Sequence, residues 1–346
     1  MGQIPKFEVK LGGTKLDDKL MSEVTYLKVA EAMDQLDCFE IVFRLATGNA
    51  KKKLLKACMP GGEFSVKLGK SGKEFKGDIH MVTHERSQKG WEVQVTGLDG
   101  LERLRSHRDP TIWEEGLKGA IEKIAKDHGM KAKVQGVQSS KALLFQSHED
   151  DLTFVRNKAK AYNYFVRVVD KTLHFGRRNT PYESKGLKLK WEDGIHRMSL
   201  TASVKEVMTE VTVTHHNYTN MKEIKGVAKG SAKLKKISGG DDAIKIAKKL
   251  FGDRKIYMPN SGAMEVSAAK EKAEAILQGY AETFVKGEVS IPGDSTACSG
   301  AKLSITDGPW PMTGDYIITE TIHVLEPGRG YTTTVKFMSD SLPKKK

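Results

Sequence analysis

Few residues in this chain are spaced to do chemistry, and each candidate has a plainer reading. Gly69-Lys70-Ser71 carries the closing triplet of a phosphate-binding loop, in which backbone N–H groups cradle phosphate and a lysine reaches it. The glycine that should open such a loop falls at Phe64, and the flanks read as strand, turn, strand, so a hairpin turn is expected. His80, His84 and Glu85 resemble a zinc site only in composition. No general base lies between the histidines, and the region alternates like a strand. His215 and His216 are adjacent on another expected strand; neighbouring strand residues face opposite sides, so the pair does not chelate jointly. Asp150-Asp151 and Asp241-Asp242 precede helical patterns, where capping accounts for them better than acid–base catalysis. Neither a Gly-x-Ser-x-Gly elbow nor a Gly-x-Gly-x-x-Gly fingerprint occurs. Trp113 reads as core, and Trp310, between Pro309 and Pro311, as an aromatic on an exposed turn. No catalytic, cofactor or metal residue is assigned, interface residues are left open, and the chain is not expected to be an enzyme.

Composition bounds the remaining choices. The chain has 346 residues, which favours two or three domains and a core that needs neither disulfides nor metals. Cys38, Cys58 and Cys298 are scattered and odd in number, which fits synthesis in a reducing cytoplasm. No apolar run approaches the roughly 18–20 residues that span a bilayer, and Met1-Gly2-Gln3-Ile4-Pro5-Lys6 lacks the apolar stretch of a signal peptide. The net charge of +13 suits either phosphate neutralisation or an acidic protein partner. Lysine runs occur at Lys51-Lys52-Lys53, over residues 222–249 and at Lys344-Lys345-Lys346. No aromatic-basic recognition motif accompanies them, so nucleic-acid binding is expected to be non-specific at most.

The elements that would position these residues alternate between β and α/β sequence. Phe7, Val9 and Leu11 alternate with polar residues, as do Phe39, Ile41, Phe43 and Leu45, then Phe64, Val66 and Leu68, then Trp91, Val93 and Val95. Short strands at such spacing predict an antiparallel barrel or sandwich. A helix is expected over 111–127, with Thr111 and Glu114 as a capping box and with Trp113, Leu117, Ala120, Ile121, Ile124 and Ala125 on one face. A second helix follows Asp150, then a hairpin from Tyr164 to Phe175. Strands return at 187–217, helices are expected over 241–251 and 264–278, and the end is again β, closing on Tyr331, Thr333, Val335 and Phe337 in alternation. No short fixed-period repeat is present.

Taken in order, three segments resemble one family. These are the strand and turn at 91–104 with the segment to Gly129; Asp150-Asp151-Leu152-Thr153-Phe154-Val155 with its hairpin; and a closing set of Ala269, Ala273 and Ala275, then Gly300-Ala301-Lys302-Leu303, Gly314-Asp315-Tyr316, His323 and Gly330-Tyr331-Thr332-Thr333. The set, covering residues 5–339, resembles phage late control protein D, a family of contractile-tail baseplate hubs related to the hub portion of the VgrG spike.

The resemblance implies an α+β, mainly β fold: two tube-type antiparallel β-barrels with α/β inserted segments. The boundaries it suggests are a first barrel at 1–105, an α/β insert at 106–184, a second barrel at 185–220 and 280–339, a Lys/Gly-rich helical insert at 221–279, and a basic tail at 340–346. It implies a structural hub, without cofactors, in a phage tail, tailocin or related particle. Such a hub is a homotrimer, with a hexameric tail tube above, a trimeric spike below and other baseplate proteins around it. No spike needle follows the second barrel, so the spike is expected on a separate chain, with no membrane insertion. Two rivals remain: a cell-wall-degrading or effector component of such a particle, and a basic nucleic-acid-binding protein.

Overall fold

The short alternating runs become strands because one side of each is apolar and must be covered. A computed structural model describes residues 7–45, 50–69, 73–88, 90–106, 108–137, 143–178, 186–218, 221–230, 239–259 and 261–344. Within them thirteen strands join in one sheet. Its first part runs, in spatial order, Val24–Ala32, Cys38–Leu45, Gly90–Asp99, Glu74–Ser87, Glu63–Lys67, Glu8–Leu11 and Thr14–Lys15. It encloses Val9, Phe39, Ile41, Phe43, Val66, Val93 and Val95, with Phe39 and Phe64 stacked at 4.6 Å. The second part runs Arg197–Ala202, Val285–Pro292, Gly330–Ser339, Gly314–Glu326, Lys302–Thr306 and Leu187–Lys190. It encloses Val289, Leu303, Ile318, Val335 and Phe337. The fold is thus mainly β, two tube-type barrels with α/β insertions. The barrels share one wall, because residues 320–325 of the second pair antiparallel with residues 27–32 of the first.

The two barrels are copies of one plan. Glu63↔Asp78, Phe64↔Gly77, Ser65↔Lys76 and Val66↔Phe75 in the first recur as Lys302↔Ile317, Leu303↔Tyr316, Ser304↔Asp315 and Ile305↔Gly314 in the second, at a constant offset. The long hairpins that follow carry a bulge at the same place, between Ile79 and Met81 and between Ile318 and Glu320. Glu40 opposite Thr96 corresponds to Glu288 opposite Lys336, and Lys28 opposite Glu40 to Ser199 opposite Glu288. One detail is traded between the copies. Phe39 faces Gly97 in the first, whereas Gly287 faces Phe337 in the second, so the ring fills the same place from opposite strands.

The inserted segments depart from expectation in three places. The helix expected from Thr111 starts at Gly116, and Thr111–Trp113 is instead a strand paired with Leu144–Gln146. Gly116 has φ +74, a conformation that interrupts helix, and the extended form buries Trp113 with its Nε1 donating to Gln146 at 3.1 Å. The capping box therefore does not form; Glu115 is the N-cap and makes no side-chain cap bond. Asp150 does cap the helix Asp151–Ala161, accepting from the Thr153 amide. The strand Glu210–Asn217, expected in the second barrel, pairs with Lys222–Lys229 and Lys255–Met258 in a separate sheet. The segment after residue 220, expected to be helical, thus contributes strands as well as the helices Ala243–Phe251 and Val266–Glu282. A fourth feature, the helix Ala50–Ala57, had been hidden in a lysine run.

Small residues explain the misread strand. Along Lys222–Lys229 the buried positions are Ile224, Gly226 and Ala228, and the helix Val266–Glu282 lies directly on them. A Cβ on Gly226 would sit 2.2 Å from the Ala269 carbonyl carbon and 2.3 Å from the Lys270 nitrogen. The strand therefore lacks the branched residues that advertise strands in a sequence. We expect Gly226→Ala to cost roughly 1–3 kcal/mol by forcing the helix outward. A urea midpoint equal to that of the parent chain would refute this close approach.

Candidate functional site

The feature with functional reach is the wall common to both barrels. It has eight strands: Arg197–Ala202, Val285–Pro292, Gly330–Ser339, Gly314–Glu326, Val24–Ala32, Cys38–Leu45, Gly90–Asp99 and Glu74–Ser87. One face supplies both barrel cores. The other is polar, with Lys336 Nζ paired to Glu320 at 2.7 Å, Arg44 to Glu92 at 2.7 Å, and Gln94 donating to Glu40 at 2.7 Å. Among the described residues, Arg197–Ala202 pairs only with Val285–Pro292, and residues 80–87 pair only across to Gly90–Asp99. The wall thus ends in an open edge on each side, with backbone donors and acceptors available to another strand.

A buried ionic joint fixes the wall to the first insert. Arg167, on the insert strand Tyr164–Val169, donates from Nη2 to Glu31 Oε1 at 2.7 Å and to Asp37 Oδ2 at 3.3 Å. Its Nη1 donates to Ser299 Oγ at 3.0 Å. Lys73 Nζ also reaches Glu31 Oε1, at 3.2 Å. Glu31, Asp37 and Lys73 belong to the first barrel, Ser299 to the second and Arg167 to the insert, so one guanidinium ties three parts together. A cavity of about 30 Å³ lies beside it, lined in part by Asp37, Lys73, Asp99 and Arg167.

Three carboxyls crowd this one guanidinium, and they divide the charge unequally. Burial alone would raise Glu31, but the Arg167 and Lys73 charges outweigh it and hold the group below its ordinary value. Burial pushes Asp37 up to about 6 despite Arg167. Asp99 goes well above its ordinary value, through burial and then the neighbouring Asp37 charge. Glu31 is thus shifted one way and Asp37 and Asp99 the other. His323 lies nearby; burial lowers its pKa, and its Nδ1 meets Tyr331 Oη at 2.9 Å and Thr333 Oγ1 at 3.1 Å.

A second cluster invites a catalytic reading and fails it. Ser106 Oγ lies 3.3 Å from His128 Nε2, and Asp151 Oδ2 lies 2.8 Å from that same nitrogen. A nucleophile relay needs serine and carboxylate on opposite ring nitrogens. Asp151 is instead engaged by Arg108 at 2.8 and 2.9 Å and by Gln146 at 2.8 Å. Those bonds outweigh its burial and hold its pKa low. The sequence had offered Asp151 as a possible cap; only its chain neighbour caps, and Arg108 carried no local signal of the pairing.

The other sequence candidates stay apart. His80, His84 and Glu85 are exposed along the strand Glu74–Ser87, and no group of His, Cys, Asp or Glu among the described residues is arranged to hold a metal. The hairpin strands flanking Gly69 are antiparallel as expected, while Lys70 and Ser71 lie outside the described residues. His215 and His216 lie on Glu210–Asn217, and Asp242 caps Ala243–Phe251 through the Lys245 amide at 2.8 Å. Trp310 is 47% exposed and donates to the Pro343 carbonyl at 3.1 Å. Cys38, Cys58 and Cys298 are free thiols.

A family model described as the Alg8 N-terminal domain matches residues 2–325. No curated protein matches the chain. Among solved structures, a tail protein from Neisseria meningitidis MC58 is 15% identical, covers 96% of both chains and superposes with a TM-score of 0.70. The 43 kDa tail protein of prophage MuSo2 from Shewanella oneidensis is 11% identical, over 97% of this chain and 99% of its own, with a TM-score of 0.68. The E. coli c3393 protein, a type VI secretion component similar to T4 tail proteins gp27 and gp5, is 15% identical, over 92% and 74%, with a TM-score of 0.62. At such identities the likeness is one of fold.

The joint generates two predictions. Arg167→Met leaves Glu31 and Asp37 buried against no guanidinium and should cost about 3–5 kcal/mol, part of it recovered by adding Glu31→Gln. Equal urea midpoints for parent and single variant would count against the joint. For Asp37, the folded chain still binds a proton between pH 3.8 and about 6, where the unfolded chain has released it. Stability relative to Asp37→Asn should therefore fall as pH rises through that window, with a slope approaching about 1.4 kcal/mol per pH unit, and level off above it. A difference between the two chains that stays flat from pH 4 to 6 would overturn the assignment.

Proposed function

The chain belongs to the Alg8 N-terminal domain family, and from that premise we propose that it is the structural baseplate hub of a contractile injection system. In this reading three copies form a ring that joins a hexameric inner tube to a trimeric spike. The observation that carries it is the internal duplication: two barrels of one plan, joined edge to edge in a continuous wall. Closed symmetric rings are the common solution for a self-complementary chain. A ring of three such chains offers six similar barrels to a sixfold tube and three copies of each insert to a threefold spike. The tail-protein fold of the structural relatives supports the same role. The late control protein D hubs are the finer family likeness we favour.

The action is mechanical, through shape and contact, and not enzymatic. The place of work is the baseplate of a virion tail or a released particle, after synthesis in a bacterial cytoplasm. The Ser106, His128 and Asp151 cluster, the nearest approach to a catalytic set, has the wrong geometry for the rival hydrolase reading.

Mass measurement across a concentration series tests the proposal, combined with pull-down of candidate tail-tube and spike proteins. A trimer that retains both partners is the expected result. A chain that stays monomeric with both partners present, or that clears peptidoglycan in a zymogram, would defeat it.

A further inference from the structure

The duplication assigns a partner to each open edge. Inside the chain, the hairpin strand of the second barrel lies on the first strand of the first barrel: Thr321 faces Glu31, Ile322 faces Ala30, His323 faces Val29, Val324 faces Lys28 and Leu325 faces Leu27. The equivalent hairpin strand of the first barrel is Glu74–Ser87, where Met81 takes the place of Glu320 just after the shared bulge. Position by position, Val82 then corresponds to Thr321, Thr83 to Ile322, His84 to His323, Glu85 to Val324 and Arg86 to Leu325. The equivalent first strand of the second barrel is Arg197–Ala202. There Ser199 corresponds to Lys28 through the shared Glu40 and Glu288 positions, and Leu200 and Thr201 to Val29 and Ala30.

Burial differs between the copies where this partner strand is present or missing. Thr321 and His323 are buried, whereas Val82 is half-buried and His84 exposed. Leu27, Val29 and Glu31 are buried, whereas Met198 and Leu200 are half-buried and Ala202 is exposed. The hairpin tips match as well. His323 lies 6.0 Å from Tyr331, and His84 lies 5.8 Å from Trp91 at the corresponding place. Tyr331 packs into the first barrel's core, edge-on to Phe7 at 5.0 Å. Trp91 stands at the same point of its hairpin with no second barrel beside it.

We propose that residues 82–86 of one copy of this chain pair antiparallel with residues 198–202 of the next, in the register of the internal junction. Val82 then faces Ala202, Thr83 faces Thr201, His84 faces Leu200, Glu85 faces Ser199 and Arg86 faces Met198. The occupant is a second copy because this chain carries both halves of the junction and makes the same pairing once within itself. The contact is head-to-tail, so it generates a ring if the rotation closes and a filament if it does not. It rests on the ring reading of the hub and adds the residues that make it.

Four outward-facing sites test the register. A disulfide requires Cα atoms within about 7 Å, and diagonal strand neighbours lie at about 7–8 Å. The chain carrying Thr83→Cys with Thr201→Cys, and the chain carrying Glu85→Cys with Ser199→Cys, should form reducible multimers under mild oxidation. The crossed combinations, Thr83→Cys with Ser199→Cys and Glu85→Cys with Thr201→Cys, use the same sites and should cross-link several-fold less. Within one chain these sites lie at opposite ends of the wall, so each cross-link reports a contact between copies. A trimer by mass in which all four combinations cross-link equally, or none does, overturns the register and leaves the ring reading standing. A chain that remains monomeric at every concentration overturns both.

Discussion

The pairing of residues 27–32 with residues 320–325 is the constraint on which the rest of the molecule depends. Without it the two barrels would be tethered only by their insertions, and their relative orientation would be a matter of loops. Antiparallel strand pairing sets orientation to within one residue, because a slip by one would turn His323 and Thr321 out of the core and bring Ile322 in. The pairing therefore holds the two barrels in one relative orientation. On its outer face the junction sets Glu320 opposite Ala32, Ile322 opposite Ala30 and Val324 opposite Lys28.

The ionic joint makes sense beside that constraint. A buried Arg167 with three carboxyls is an expensive way to hold a fold together, since desolvation offsets much of the Coulomb gain. Its value is directional. A guanidinium accepts partners only in its plane, and Arg167 finds them in Glu31 and Asp37 of one barrel and Ser299 of the other. The insert is docked further by Tyr164, whose hydroxyl donates to Glu271 at 2.9 Å, and by Asn163, which donates to Glu282 at 2.8 Å. Both acceptors lie on the long helix of the second insert, so the two insertions brace one another as well as the wall.

What could be read from the chain beforehand follows the range of the interactions. Period-two alternation is local, and Cys38–Leu45 and Gly330–Ser339 formed where their apolar residues alternate. Caps are local too, and Asp150 and Asp242 took up theirs. Trp113 misled because its apolar spacing fits a helix, while it sits in a strand opposite Leu144 and its indole donates to Gln146, thirty-three residues away. The strand Lys222–Lys229 was hidden because the helix above it demands glycine and alanine. The pairing of Arg167 with Glu31 was out of reach for a different reason: their 136-residue separation leaves no local pattern.

The duplication itself was nearly silent, and its divergence carries meaning. Across Glu63–Lys67 and the hairpin strand that follows, the aligned identities include only Ser65 with Ser304, Ile79 with Ile318 and His84 with His323. What persists is the pairing pattern, bulge included, because pattern and not identity determines how edges meet. What has changed is the support around each edge. Lys302–Thr306 gains a parallel neighbour, Leu187–Lys190, where Glu63–Lys67 has the antiparallel Glu8–Leu11. The junction within the chain is held permanently, by covalent connection and by Arg167. Its outer counterparts, residues 80–87 and Arg197–Ala202, carry exposed side chains and no buried ionic clamp among the described residues. On the pairing proposed above, a chain built this way keeps for assembly a weaker copy of a contact it has already made inside itself.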